Sequence, residues 1–133
     1  MSKKKFITAL ISCFLVVCIL AIPAAARYVA INSFTAAYGK DGTTAYCGST
    51  VDVATGYDYE LVLVLQRSSN GGISYSNYYT FPTIYGVGND RSKAYEKSRT
   101  GVSNNYIYRT KAILTVLDSN GDEVESDDCY SNY

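Results

Sequence analysis

Histidine and tryptophan are absent from this 133-residue chain, which also has only two prolines and one methionine. Without histidine the chain lacks the commonest general base near neutral pH and the usual imidazole ligand of metals. Ser/His/Asp and Cys/His catalytic arrangements are therefore excluded, and no spacing of carboxylates singles out an acid/base pair. The sequence predicts a protein that is not an enzyme, with no metal site and no cofactor.

The first 26 residues carry the pattern of a secretory signal peptide. Lys3, Lys4 and Lys5 precede an apolar run from Phe6 to Ile22, which Pro23 and the alanines 24–26 follow. A charged segment, an apolar helical segment and small terminal residues are the three parts of such a signal. We expect a helical signal over 1–26 and a secreted product that begins at or near Arg27. The alternative is an uncleaved anchor that tethers the domain to the outer face of the membrane, because the apolar run is about long enough to span a bilayer.

Removal of the signal changes the charge and the cysteine count. Twelve basic residues lose three lysines, which leaves nine against twelve acidic residues and a net charge near −3. No basic patch remains, so binding to nucleic acid is not expected. Cys13 and Cys18 leave with the signal, and Cys47 and Cys129 remain. In an oxidising compartment these two are predicted to form a disulfide, the alternative being two free buried thiols.

Residues 27–133 read as short β-branched and aromatic stretches separated by Gly, Asn and Asp turns. The predicted strands are 28–38, 43–54, 57–67, 73–81, 92–99, 106–117 and 123–129. We expect a loop over 83–91, a hairpin turn over 39–42 and a type I′ turn at Asn120-Gly121. Seven such strands predict an all-β domain over 27–133, a single antiparallel sandwich of immunoglobulin or fibronectin-III type.

One alternating set of side chains in three of these strands is predicted to face the core. The sets are Ala45, Cys47, Ser49, Val51 and Val53; Tyr59, Leu61, Leu63 and Leu65; and Tyr108, Thr110, Ala112, Leu114 and Val116. The acidic stretch that begins at Asp118 resembles the start of a calcium-binding loop. Glu123 and Cys129 stand where such a loop needs a glycine and a bidentate glutamate, so we interpret the stretch as a hairpin turn.

Tyrosine is the most unusual part of the composition, and all fourteen tyrosines follow the signal. Tyr75, Tyr78, Tyr79 and Tyr85 cluster around the fourth predicted strand and its following loop. Because tyrosine joins apolar area to a hydroxyl group, it favours both strands and binding surfaces. We predict a binding face here for an extracellular protein or a component of the cell envelope, against the alternative that these are half-buried strand residues.

Several short motifs follow one another in a recognisable order. They are Cys47, Leu63 to Arg67, Gly71-Gly72, Gly101 with Tyr106 to Arg109, and Asn120 to Ser126. This order resembles a family of small, secreted, functionally uncharacterised proteins of Gram-positive bacteria, over most of 28–126. The resemblance implies secretion and a β-sandwich, and it implies no activity.

A second, local resemblance concerns Ser74 to Tyr79, which are similar to a stretch of lactococcin-972-type bacteriocins. Those proteins are also small secreted β-sandwiches. The sequence therefore predicts a secreted, non-catalytic interaction module that touches a membrane only through an uncleaved signal. The alternative is a secreted bacteriocin-like antagonist.

Overall fold

A computed structural model describes residues 30–133, which form eight β-strands. The strands are β1 (Ile31–Asp41), β2 (Thr44–Val53), β3 (Asp58–Ser68), β4 (Ser76–Thr80), β5 (Ile84–Val87), β6 (Ser92–Arg99), β7 (Ile107–Leu117) and β8 (Glu123–Tyr130). The predicted signal over 1–26 lies outside the described residues. Across 30–133 no helix has the length and apolar character needed to cross a membrane.

The strands form two antiparallel sheets, in agreement with the all-β prediction. Sheet A has the order β1-β2-β6. Sheet B has the order β4-β3-β7-β8, and β5 joins it beside β3. The strands β4 and β5 occupy successive parts of the same edge of β3, pairing with residues 64–67 and 58–61 respectively. An edge of sheet A, at β6, and an edge of sheet B, at β4 and β5, are thus left unpaired within the described residues.

The eighth strand corrects the prediction of seven strands with a loop over 83–91. Its sequence, Ile84 to Val87, is interrupted by Gly86 and followed by Gly88, so it lacks the β-branched run that marks a strand. Tertiary packing supplies the reason for the strand. Gly86 pairs with Tyr59, and the Tyr59 ring packs where a side chain at position 86 would otherwise lie.

The core lies between the two sheets and is built from the alternating sets predicted from the sequence. β2 and β7 alternate strictly between buried and half-buried residues, which fits strands with one face on the core. Fully buried side chains from both sheets include Cys47, Val51, Val53, Leu61, Leu63, Leu65, Leu114 and Val116. The three predicted core faces are therefore confirmed.

Two turn predictions differ from the structure. β1 continues to Asp41, so the first hairpin turns at Gly42 and Thr43 rather than over 39–42. The turn between β7 and β8 is not type I′, because Gly121 has a positive φ of 80° whereas Asn120 does not. The Asp118 carboxylate instead accepts backbone N–H groups of Asn120 and Asp122 at 2.9 and 3.0 Å. The Asp118 carboxylate therefore stabilises the turn through hydrogen bonds to the turn's own backbone.

Candidate functional site

The four tyrosines predicted to form one binding face lie in three different environments. Tyr75 is half-buried in the connection between β3 and β4, Tyr78 and Tyr79 are half-buried in β4, and Tyr85 on β5 is 74% exposed. Tyr78 and Tyr79 pack against the core. The structure therefore distributes these rings instead of collecting them on one face.

Tyr78 is held by a stack of cationic and aromatic side chains. The Arg67 guanidinium lies between the rings of Tyr78 and Tyr106, at 4.4 and 4.3 Å from their centroids. The ring of Tyr108 is 6.2 Å from that of Tyr78 and donates its hydroxyl to the Ser103 carbonyl at 2.8 Å. Such cation–π and aromatic contacts stabilise the domain.

Tyr79 joins the two sheets. Its ring meets Phe81 edge-on at 5.0 Å, and Arg99 of β6 places its guanidinium 4.0 Å from the Tyr79 ring centroid. Since β6 belongs to sheet A and β4 to sheet B, this contact bridges the unpaired edges of the sandwich. Tyr78 and Tyr79 therefore have structural partners that account for their burial.

Tyr75 belongs to a stack on the outer face of sheet B. Arg109 lies between the rings of Tyr75 and Tyr130, at 4.0 and 4.4 Å, and its Nε donates to the Gln66 side-chain oxygen at 2.8 Å. Gln66 in turn donates to Asn77 at 2.8 Å. The sequence analysis missed Arg109 and Tyr130, although the alternation of Arg109 with the predicted core face of β7 marks it as outward-facing.

Tyr85 borders a cleft of about 330 Å³ between β5 and the start of β6, which we call the open-edge cleft. Its lining comprises Val53, Tyr59, Tyr85, Gly86, Val87, Gly88, Asn89, Arg91 and Lys93. Val87, two residues from Tyr85 on the same strand, is 72% exposed. The cleft thus combines exposed aromatic and aliphatic side chains with two cations, between β5 of sheet B and β6 of sheet A.

Tyr59 forms the floor of the open-edge cleft. A Cβ atom at Gly86 would lie 2.2 Å from the Tyr59 ring, so only glycine at that position allows the ring to lie against β5. The hydroxyl groups of Tyr59 and Tyr95 are hydrogen-bonded at 2.5 Å. Burial, followed by this bond, raises the pKa of Tyr59 well above its ordinary value. The floor therefore stays uncharged across the neutral range.

The wall of the cleft is a loop with a fixed backbone. The N–H of Gly88 donates to the Tyr57 carbonyl at 2.7 Å, and the N–H of Asp90 donates to the Val53 carbonyl at 3.0 Å. Asp90 has a positive φ of 57° and accepts the Asn32 side-chain amide at 3.1 Å. Hydrogen bonds from Asn32 and Thr55 lower the pKa of Asp90. These contacts fix the segment that carries Asn89 and Arg91.

The residues that line the cleft include cations but no acids. None of its lining residues is acidic, although twelve acids occur in the sequence. Lys93 lies 5.2 Å from the centroid of Tyr95, the ring that partners the floor. Among residues 30–133 the structure has one ion pair, between Lys111 and Asp128 at 3.7 Å. Arg91 and Lys93 therefore face the cleft without a carboxylate partner.

The sequence analysis found Tyr85 but missed the other parts of the cleft. Lys93 falls in the predicted strand over 92–99 and Arg91 in the predicted loop over 83–91, and neither was predicted to contact a ligand. Tyr59 was correctly predicted to face inward. Gly86 and Gly88 could have indicated the cleft from the sequence, because a glycine in a strand often marks a place where another group approaches the backbone closely.

Cys47 and Cys129 are both free thiols in the structure, so the predicted disulfide is not present there. Cys47 is buried on β2 beside Thr110, whereas Cys129 is half-buried on β8 opposite Ala112. Burial raises the pKa of Cys47, and the Thr110 hydroxyl acts in the opposite direction. Burial, together with the charges of Asp127 and Asp128, raises the pKa of Cys129 to about 11. Both thiols are thus protonated near neutral pH and poor nucleophiles.

The acidic and thiol side chains of the described residues do not cluster. Within 30–133 no three Cys, Asp or Glu side chains converge in an arrangement that could hold an ion. The Asp118 carboxylate, at the one stretch that resembles a calcium loop, is already engaged by backbone N–H groups of its turn.

No family model matches the chain, and no curated protein matches it. Nine chains of solved structures are similar to it, among them a selenomethionine-labelled β-glucosidase from Kluyveromyces marxianus. That similarity covers 76% of this chain at 10% identity with a TM-score of 0.38. This chain spans only 14% of the length of the β-glucosidase chain. At that identity and TM-score the similarity says nothing about activity.

Proposed function

We propose that this protein is a secreted, non-catalytic recognition module with a fibronectin-III-like sandwich, and that the open-edge cleft is its binding site. The signal-peptide pattern of residues 1–26 supports secretion. The absence of histidine supports a role without catalysis. The observation that carries the proposal is the exposed Tyr85 in a cleft that is also lined by Arg91, at the end of a hydrogen-bonded loop, and by Lys93 on β6.

The strand order supports the fibronectin-III-like assignment. In an immunoglobulin constant domain the fourth strand pairs in the sheet that holds the first, second and fifth strands. Here β4 and β5 pair with β3 instead, in the opposite sheet from β1, β2 and β6. Tyr108, near the start of β7, donates its hydroxyl to a backbone carbonyl five residues upstream, as a tyrosine corner does.

The cleft is a better candidate than the two arginine–tyrosine stacks. In the stacks Arg67 and Arg109 each lie between two rings, so their guanidinium faces are occupied within the domain. In the cleft the Tyr85 side chain is exposed, and among residues 30–133 neither cation forms an ion pair. Tyrosine and arginine, which Tyr85 and Arg91 represent here, are among the residue types enriched at the centres of binding interfaces.

Binding of the exported protein to intact Gram-positive cells, isolated cell walls and secreted proteins tests the proposal. We expect saturable binding to one of these, and loss of that binding in Tyr85→Ala. The matched control is Tyr133→Ala, which removes another exposed tyrosine outside the cleft. Binding that Tyr85→Ala leaves unchanged would reject the cleft. Growth inhibition of related bacteria by the purified protein would favour the bacteriocin-like alternative.

A further inference from the structure

The lining of the open-edge cleft contains two positive charges and no negative one, although Glu60 is the cross-strand partner of Tyr85. Arg91 and Lys93 line it without a carboxylate among their neighbours in the lining. The nearest acid along the chain, Asp90, is absent from the lining and is hydrogen-bonded to Asn32 instead. A buried or partly enclosed site with one sign of charge concentrates ligands of the opposite sign. An anionic group is therefore complementary to this cleft.

The two cations stand on elements that are already ordered. Arg91 follows the loop whose backbone is hydrogen-bonded to Tyr57 and Val53, and its own N–H donates to Asn89 at 3.2 Å. Lys93 lies on β6 and packs over the ring of Tyr95. Because the backbone that carries these groups is already ordered, less backbone freedom is lost when a ligand binds.

The aromatic part of the cleft favours a ring-bearing ligand over a bare ion. Tyr85 exposes 74% of its surface beside the cations. The apolar C–H face of a sugar stacks on such a ring, while sugar hydroxyl groups bond to amides such as Asn89. The cleft, at about 330 Å³, is at the small end of the range for ligand sites and suits one or two sugar rings.

We propose that the open-edge cleft binds an acidic saccharide, whose phosphate or carboxylate group pairs with Arg91 and Lys93 while a sugar ring stacks on Tyr85. This inference rests on the proposed recognition function and adds the chemical class of its ligand. Charge-assisted hydrogen bonds to guanidinium and ammonium groups are among the strong polar contacts in proteins. They make the acidic group the main determinant of specificity here.

Calorimetric titration of the exported protein with matched probes tests the proposal. The phosphate probe is 6-phosphomaltotriose with maltotriose as its neutral match, and the carboxylate probe is trigalacturonic acid with a neutral galactose trimer. We expect one acidic probe to bind about tenfold more tightly than its neutral match, and binding to weaken with added salt. Which acidic probe binds distinguishes phosphate from carboxylate.

The variants Arg91→Gln and Lys93→Gln should each weaken binding of the acidic probe about tenfold, and Tyr85→Ala should weaken it as well. Lys97→Gln is the matched control, because it removes a positive charge from β6 outside the cleft. Thermal unfolding of each variant reports whether it is folded. Should Arg91→Gln fail to fold, Lys93→Gln and the salt dependence still decide the question.

Three results would overturn the acidic-saccharide proposal. They are equal binding of acidic and neutral probes, equal loss in Lys97→Gln, and equally tight binding of inorganic phosphate or an oligoglutamate peptide. Envelope binding that depends on Tyr85 but not on Arg91, Lys93 or salt would reject the acidic ligand while leaving the recognition function standing. Failure of all envelope binding would reject the recognition function itself.

Discussion

The hydroxyl groups of Tyr59 and Tyr95 meet at 2.5 Å across the gap between the two sheets. Tyr59 comes from β3 of sheet B, and Tyr95 comes from β6 of sheet A. Their rings pack edge-on with centroids 6.4 Å apart. This pair closes the interior beneath the open-edge cleft. The candidate site therefore depends on a contact between residues 36 positions apart in the sequence.

Removal of one hydroxyl of this pair should destabilise the domain. In Tyr95→Phe the Tyr59 hydroxyl is left buried without a partner, which costs about 1–2 kcal/mol in the free energy of unfolding. Urea denaturation measures the change. The double variant Tyr59→Phe/Tyr95→Phe should lose less than the sum of the two single variants, because no orphaned donor remains. Additive losses would contradict the importance of the hydrogen bond.

A side chain at position 86 should displace the floor of the cleft. In Gly86→Ala the new Cβ would lie 2.2 Å from the Tyr59 ring, so we expect a loss of about 1–3 kcal/mol and weaker ligand binding. Gly39→Ala is the matched control, since a Cβ there meets no atom within 4 Å. Thermal unfolding compares the two variants. Equal melting temperatures would show that Tyr59 does not depend on Gly86 for its position.

Stability should fall at alkaline pH. Burial, followed by the charges of Cys47 and Tyr108, raises the pKa of Tyr38 to about 12 from an ordinary value of 10.0. Burial also raises the pKa of Tyr59. Because the folded state favours the neutral phenols, their contribution is complete below pH 10 and is lost as the pH rises towards 12.

The midpoint of urea denaturation, measured from about pH 8 to about pH 11.5, checks this prediction. The curve for Tyr38→Phe should be flatter than that of the parent protein over the upper part of this range. The raised pKa of Cys129 acts in the same direction if that thiol is free. A midpoint that does not change with pH would contradict the prediction.

The disulfide between Cys47 and Cys129 stays a prediction for the exported protein. Alkylation of the denatured, non-reduced protein should add no mass, whereas prior reduction should allow two alkyl groups. Such a bond would close a loop of about 80 residues, which corresponds to about 4–5 kcal/mol in the chain-entropy model. Reduction should therefore lower the melting temperature. Two alkyl groups on the non-reduced protein would instead match the free thiols of the structure.

Local sequence patterns predicted the fold class and the core faces of three strands. Alternation of period two was enough to identify the core faces of β2, β3 and β7, although residues 63–66 of β3 are buried on both faces. The same reasoning failed for β5, whose glycine-rich sequence resembles a loop. That segment is a strand because β3 offers it an unpaired edge and the Tyr59 ring fills the space above Gly86.

The candidate site, like the fold, was predicted from the sequence only in part. Composition identified tyrosine as the informative residue, and proximity in sequence then grouped Tyr75, Tyr78, Tyr79 and Tyr85. Three of these rings are engaged by Arg67, Arg99 and Arg109, which come from β3, β6 and β7. The sequence alone does not place those arginines, because the partners belong to other strands and to both sheets.

The sequence by itself determined the charge, the lack of histidine, the strand-forming pattern and the residues that face the core. These are properties of composition and of local periodicity, which need no knowledge of distant contacts. Only the tertiary structure decided that Tyr85, Arg91 and Lys93 share a cleft while Tyr78 and Tyr79 pack against the core. The physical reason is that the pairing of β5 with β3 brings an edge of sheet B beside β6 of sheet A.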